Sequence, residues 1–560
     1  MPDSISEIDD PSFFISPEGK TNAKAELEAT IYALEHENVF DDNATACKFP
    51  ARKWWLEKEL GMKDLIKLEC KEFNDILRKV DPQSASLIFP SAYIKSPASM
   101  FGHTFLRIDS SYKSKMLSYA VNYAADANSK TENGFVFAMK GLFGGYYGRY
   151  SLMPYYDKVK EYRDTEERDI WEYDLNLSPR ELEQMMRHIW EIRDTYSSYY
   201  FFTKNCSYNI LWLIEIAREE VHVREYFEYQ VLPPETIHAL IKEGVVEHRY
   251  YRPARRARLL AYEKYLRNSD IEDAFALSQK PQYFKGFLDT NKSLQTKMYI
   301  VEASTELIEY DYLRGDINKS VYRQRLHTSL GNRASLGKGD VLSIKRPEDP
   351  MQGHRSLRVR TEVGVRNNEA IGFIGIRPAN HDLKDPDLGF LRGTQIEFFD
   401  VLLSYTQDKL KIEKATLLSI TSLSPRGKFF KPLSWGLNIG WDRNYLSEST
   451  KFTSSISAGY TWGNELGYAY ILADALVYTD KSLTAGIAGV LGLALYESKS
   501  FKTNLELKQR LFDTGKNQLL FSASQSYLAF ENLSFSLRYE YVEKYEDDWK
   551  IAKLTCDYFF

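Results

Sequence analysis

No stretch of this 560-residue chain stays apolar for the roughly 18–20 residues that a membrane-spanning helix needs. Cysteine is scarce: Cys47, Cys70, Cys206 and Cys556 are all there are, and no CxxC pair occurs, so a zinc ribbon and a thioredoxin-type redox motif are excluded. There is no basic excess. Lys and Arg number 73 against 78 Asp and Glu, a net charge of −5, which argues against a nucleic-acid partner. The opening residues, MPDSISEIDDPSFF, are acidic and polar and do not read as a secretory signal. The expectation is a cytosolic chain, or one whose export signal has been removed or lies outside this sequence. The glycine-rich run KGLFGGYYGRYS at 140–151 has no phosphate-loop lysine pattern, and we read it as a loop beside a cleft. No cofactor and no metal are expected.

Aromatics, by contrast, are plentiful: 14% of the chain, with 39 Tyr and 31 Phe. The C-terminal part accounts for many of them. From about residue 355, short segments alternate apolar and polar residues between charged, turn-like breaks. In LSFSLRYEY, Leu533, Phe535, Leu537, Tyr539 and Tyr541 fall on one face, and Ser534, Ser536, Arg538 and Glu540 on the other. FTSSISAGYTW at 452–462 alternates likewise. Period two over such lengths means strands with one apolar and one polar face. A soluble sandwich and a transmembrane barrel both produce this pattern. Segments of ten or more residues, aromatics at segment ends, and a final strand with Ala552, Leu554, Cys556, Tyr558 and Phe560 on one face favour an antiparallel outer-membrane barrel of about 12 strands over residues 346–560. The mean hydropathy of −0.44 is no objection, because only alternate residues would face lipid. An even strand number would put both barrel ends, and everything before them, on the periplasmic side. That compartment is oxidising, so a local Cys47–Cys70 bridge becomes reasonable, although spacing alone does not establish it.

The preceding chain divides, on pattern, into a helical extension (1–83), a mixed α+β domain (84–230) and a helical connecting region (231–345). HTFLRI, KMLSYAVNYA and RDIWEYDLNL read as strands. Ser178, Pro179 and Glu181 spell a capping box that opens a helix, and His188 within it reads as filling one of its faces. Trp54 and Trp55 read as packing. The basic run RPARRARLL at 252–260 reads as a solvated helix start, with lipid headgroups as the alternative.

Two residues carry possible chemistry. NCSYNILWLIEIARE reads as a helix burying Ile210, Leu213, Ile214 and Ala217, so Cys206 falls in its first turn. Free N–H groups and the dipole there stabilise a thiolate and can receive an oxyanion. Asn205 and Ser207 are the capping or oxyanion candidates. His103, in MFGHT, sits at the start of a strand and would serve as the base. On its own, a lone helical cysteine is ordinarily a small buried hydrophobe.

The flanking sequences add to this. SPASMFGHTFLRID, LSYAVNYAA, KGLFGGYYG and YYFFTKNCSYNILWLIE together resemble the periplasmic domain named after Lnb, the lipoprotein intramolecular acyltransferase of some Gram-positive bacteria. The resemblance spans roughly residues 84–225, and ACKFPARKWWL resembles the helical extension that precedes this domain in Gram-negative members. The order, strand histidine before helix cysteine, is similar to permuted NlpC-type papain folds, among them lecithin retinol acyltransferase. The resemblance implies a metal-free thiol enzyme with Cys206 as nucleophile, His103 as base and an acyl-enzyme intermediate. In such folds a third polar residue orients the imidazole; Asn122 is preferred here over Ser118. The implied function is acyl transfer or hydrolysis on outer-membrane lipids or lipoproteins. A peptidoglycan amidase or endopeptidase is the alternative, and a barrel with a non-enzymatic periplasmic scaffold is a third. Barrel-assembly machinery would be the partner for insertion. The Gram-positive relatives use transmembrane helices where this chain shows barrel segments, so the substrate does not carry over directly.

Overall fold

Three apolar runs too short for helices, SASLIFP, FLRID and IWEYDL, form the middle of an antiparallel sheet. The computed structural model describes residues 5–62, 65, 68–91, 102–127, 134–161, 168–406, 409–443, 449–479, 482–544 and 548–560. Contacts divide the chain into two units: residues 1–258 with 306–327, and residues 259–305 with 328–560. In the first, the strands are β1 (Ser84–Pro90), β2 (Phe105–Asp109), β3 (Tyr119–Ala125), β4 (Tyr146–Pro154), β5 (Ile170–Leu175), β6 (Ser197–Tyr199) and β7 (Val246–Arg252). Their order across the sheet is β6-β4-β3-β2-β1-β5-β7. Helix Pro179–Ile192 opens with the anticipated capping box and packs on helix Cys206–Ala217, which lies against β2 and β3.

One buried charge cluster crosses the centre of this sheet. Arg107 on β2 is fully buried and donates to Glu172 on β5 at 2.5 Å, to Asp109 at 2.7 Å and to Ser86 on β1 at 2.7 Å. Arg252 on β7 donates to the other Glu172 oxygen at 2.9 Å. The guanidinium forks thus cross-link four strands through side chains as well as the ladder.

The N-terminal extension is tied to the same unit. Cys47 and Cys70 are disulfide-bonded, with Cα atoms 5.2 Å apart. The buried Glu191 carboxylate accepts from the backbone N–H groups of Ala51 and Arg52, at 2.8 and 2.9 Å. It therefore caps helix Pro50–Glu59, which has no cap of its own. Trp190 Nε1 donates to the Cys47 carbonyl at 2.8 Å.

Several local expectations change. KGLFGGYYGRYS is not a loop: helix Gly134–Phe143 runs directly into β4. Its glycines are small because Gly141 lies against the Phe201 ring, and Gly144, at φ +79°, makes the turn between the two elements. Strand β3 begins at Tyr119, because Lys115–Leu117 forms a 3₁₀ turn. Strand β7 lies in a region whose polar, charge-rich sequence reads as helical; it gains strand identity by pairing with β5. Two arginines of the basic run have acidic partners close by. Arg255 pairs with Glu306 and Glu309, and Arg258 with Glu306.

The second unit holds β8 (Arg358–Arg366), β9 (Glu369–Arg377), β10 (Ala379–His381), β11 (Thr394–Thr406), β12 (Lys409–Ser422), β13 (Ser434–Asp442), β14 (Lys451–Asn464), β15 (Gly467–Thr479), β16 (Leu483–Tyr496), β17 (Phe501–Phe512), β18 (Asn517–Phe530), β19 (Leu533–Lys544) and β20 (Asp548–Phe559). All strands but the three-residue β10 form a closed antiparallel barrel of 12 strands, sealed by β20–β8 and β9–β11 pairing. The period-two reading holds residue by residue. Leu537, Tyr539, Leu554 and Tyr558 face outward, while Ser534, Ser536, Arg538, Thr555 and Asp557 are buried inside. An apolar outside and a polar inside is the reverse of a soluble barrel and is what lipid requires.

The lumen is crossed by the chain between β9 and β11. Asp385 pairs with Arg377 at 2.6 Å and with Arg358 at 3.1 Å on one wall. Lys502 on β17 donates to the Leu383 carbonyl at 2.6 Å, and Ser526 on β18 to the Lys384 carbonyl at 2.9 Å. Tyr496 on β16 donates to Asp387 at 2.6 Å. The segment is therefore bonded to opposite walls. The remaining space beside it includes a polar cavity of about 210 Å³, with Leu383, Asp474, Lys508 and Arg510 among its lining residues. In planar bilayers the reconstituted protein is expected to show no steady porin-sized conductance. Replacing residues 380–390 by a short Gly-Ser link should open one. Open-pore current from the unaltered protein would contradict the assignment of this segment as a plug.

Candidate active site

The site forms where the start of β2 meets the start of helix Cys206–Ala217. Gly102, at φ +91°, lies against the Phe89 ring, where any larger residue would clash. It turns the chain so that His103 sits just ahead of β2 rather than on the strand itself. His103 Nε2 is 2.7 Å from Asn122 Oδ1, on the neighbouring β3. An amide oxygen only accepts, so Nε2 carries the proton and Nδ1 is left as the basic nitrogen. The imidazole also lies near enough to the Cys206 thiol to draw its ionisation down. The structure therefore brings His103, Asn122 and Cys206 together. Ser118, the other candidate on the β3 side, instead donates to Asp109 at 2.6 Å.

Cys206 is the first residue of its helix and is only 5% exposed. Burial pushes its thiol up. The neighbouring His103 imidazole, the Thr104 N–H and the Ser207 hydroxyl more than offset this, and the thiol is drawn down to about 7. A thiol so poised is substantially ionised near neutrality.

Asn205 caps the helix. Its Oδ1 accepts from the Ser207 and Tyr208 N–H groups at 3.0 and 3.2 Å, and its Nδ2 donates to the Phe201 and Val231 carbonyls at 3.0 and 2.6 Å. Its amide is thus committed to structure. Ser207 Oγ accepts from Thr104 Oγ1 at 2.8 Å, pinning the residue beside His103 to the helix. Of the first-turn amides, the Cys206 N–H has a different partner, the hydroxyl of Tyr199 at 3.3 Å. Burial, then the charge of the neighbouring Cys206, keep that hydroxyl protonated well above the ordinary tyrosine range. The sequence gives Tyr199 no mark of a place at Cys206. No spacing signal marks it, because it reaches the thiol from β6, at the far edge of the sheet.

Around the site lies an aromatic cluster of Tyr123, Phe137, Tyr146 and Tyr199, with Tyr150 and Phe201 packed against it. Among the described residues, one group has metal-ligand spacing: His354, His381 and Asp385, in the barrel. Both Asp385 oxygens are engaged by arginines, and His354 Nε2 lies 3.0 Å from His381 Nδ1, so this donor set does not fit a cation.

Comparison with known proteins matches three parts of the chain to family models. Residues 72–243 match the Lnb N-terminal periplasmic domain, residues 347–559 a domain of unknown function (DUF7840), and residues 2–59 another (DUF7843). No curated protein matches. Among solved structures, the KdgM porin shares 10% identity at a TM-score of 0.24 over 37% of this chain and 99% of its own. The NanC porin shares 6% at 0.26 over 36% and 99%. The COG4313 outer membrane channel from Pseudomonas putida F1 shares 10% at 0.25 over 40% and 100%. The lipid-type barrel exterior and the periplasmic-domain match agree with an outer-membrane protein that carries a periplasmic Lnb-type domain.

Proposed function

We propose that the first unit is a cysteine-dependent acyltransferase or acyl hydrolase acting on lipid or lipoprotein at the inner face of the outer membrane. The observation that carries this reading is the buried Cys206 at a helix start, its thiol drawn down to about 7 by the neighbouring His103, whose Nε2 is held by Asn122 at 2.7 Å. In the proposed sequence, Cys206 Sγ attacks an ester or amide carbonyl while His103 takes the thiol proton. The oxyanion is received by the Cys206 N–H and the Tyr199 hydroxyl, the two donors already beside the sulfur. His103 returns the proton to the leaving oxygen or nitrogen, giving a thioester on Cys206. Water or an amine then attacks the thioester, loses its proton to His103 and releases the acyl group. The order of strand histidine, next-strand asparagine and helix cysteine is also what a permuted papain-type core would present. The aromatic surroundings suit an acyl chain, and the barrel keeps the domain at a membrane.

Intact-mass measurement after incubation with outer-membrane lipid extract tests it, with the unaltered chain beside Cys206→Ala. A fatty-acyl mass gained only by the unaltered chain is the expected result. Release of peptidoglycan fragments, again only by the unaltered chain and without an acyl adduct, would replace this reading with that of a cell-wall amidase. No difference on either material would refute the enzyme.

A further inference from the structure

Helix Gly134–Phe143 is apolar on two faces, and only one of them is covered. Phe137 and Gly141, one turn apart, pack inward on Tyr146 and Phe201. Val136, Met139 and Phe143 recur at i, i+3 and i+7 on the other side and are 45%, 39% and 75% exposed. Tyr147, four residues past Phe143, is a further 53% exposed. An amphipathic surface helix turns a polar face to water; this one does not.

Charge on the segment has one sign. Residues 134–151 contain Lys140 and Arg149 and no acidic residue. Lys140 shares the outward stripe, with its ammonium 5.5 Å from the centroid of the Tyr146 ring. Aromatics, a methionine and long cationic side chains that can place their heads at the phosphate level are the composition of a segment that lies in a membrane interface. The same chain crosses a membrane with its barrel, so a lipid surface is always present at high local concentration.

We propose that the outward face of helix Gly134–Phe143 docks into the lipid surface, with Val136, Met139 and Phe143 below the headgroups and Lys140 among anionic phosphates. The inner face of this helix belongs to the aromatic cluster that contains Tyr199, whose hydroxyl touches Cys206. Docking would therefore place the thiol beside acyl chains. That consequence for substrate rests on the acyl-transfer reading; the docking does not.

The test uses the full chain in vesicles of phosphatidylethanolamine and phosphatidylglycerol. Cys206 and Cys556 are replaced by alanine, the Cys47–Cys70 bridge is left intact, and a nitrobenzoxadiazole probe is attached at Met139→Cys or Phe143→Cys. A probe at Glu28→Cys, on an exposed helix of the extension, is the control. Doxyl-labelled lipid is expected to quench the 139 and 143 probes at least twofold, and iodide in solution to quench them weakly. The control should show the opposite. Probes that behave like the control would overturn the proposal. So would probes shielded from iodide yet untouched by doxyl lipid, since they would be covered by protein or by a second copy. The labelled chain lacks the thiol, so an inert enzyme leaves this outcome unchanged, and failed docking leaves the acyl-adduct experiment to stand alone.

Discussion

His103→Ala is expected to lower kcat/KM on an acyl substrate by about 10²–10⁴-fold, the range for loss of a positioned acid–base group, and to change the titration of Cys206. With His103 present, the thiol titrates near 7. Remove the imidazole and burial acts with less opposition; burial disfavours the thiolate, so the midpoint must rise. Alkylation of Cys206 by iodoacetamide, followed by intact mass against pH, reads this without knowledge of the substrate. The unaltered chain should give a midpoint near 7, and His103→Ala one above the ordinary thiol range. An unchanged midpoint would mean that His103 does not act on the thiol. Asn122→Ala should fall between the two, because it frees the ring's orientation and tautomer without removing the base.

The second large effect lies beneath the site. Arg107→Ala leaves the buried Glu172 and the half-buried Asp109 without their shared cation, and should cost about 3–5 kcal/mol in the first unit. Hydrogen exchange of the β1, β2 and β5 amides in the whole chain measures the loss as lowered opening free energies. Arg107→Met combined with Glu172→Leu should cost less than Arg107→Ala alone, because it removes the more deeply buried of the two carboxylates that Arg107 serves. Full protection in Arg107→Ala would show that the ladder and the apolar core suffice. The sign of the pH dependence follows from Glu172. Burial raises its carboxyl, but Arg107 and Arg252 outweigh this and hold it below the usual carboxylate value. A group depressed in the folded state contributes stability above its unfolded value, and loses that contribution as pH falls through the folded one. The unaltered unit should therefore loosen only in acid, and Arg107→Ala should be the less acid-sensitive of the two, having less of this term to lose.

Sequence alone determined the elements with strong local signals. The barrel strands were readable because lipid outside and water inside impose period two on every segment, and β19 and β20 keep it almost without a break. The start of helix Pro179–Ile192 was readable because a capping box is a short-range hydrogen-bond pattern among Ser178, Pro179 and Glu181. Cys206 was placed in the first turn of its helix for a similar reason. The juxtaposition of His103, Asn122 and Cys206 was anticipated only through resemblance, since residues 103 positions apart carry no local mark of their contact. Tertiary structure decided the rest. Strand β7 exists because β5 offers it an edge. Asn205 became a cap because the Phe201 and Val231 carbonyls claimed its amide, and Tyr199 reached the sulfur because the sheet carried β6 around to it. The lumen is crossed because Asp385, Asp387 and Lys502, polar residues with no periodic signal, find partners on opposite walls. Local patterns are written in one stretch of chain, where dihedral preferences and nearest hydrogen bonds act. A buried polar contact depends on which distant groups need a partner, and only the closed fold brings them within reach.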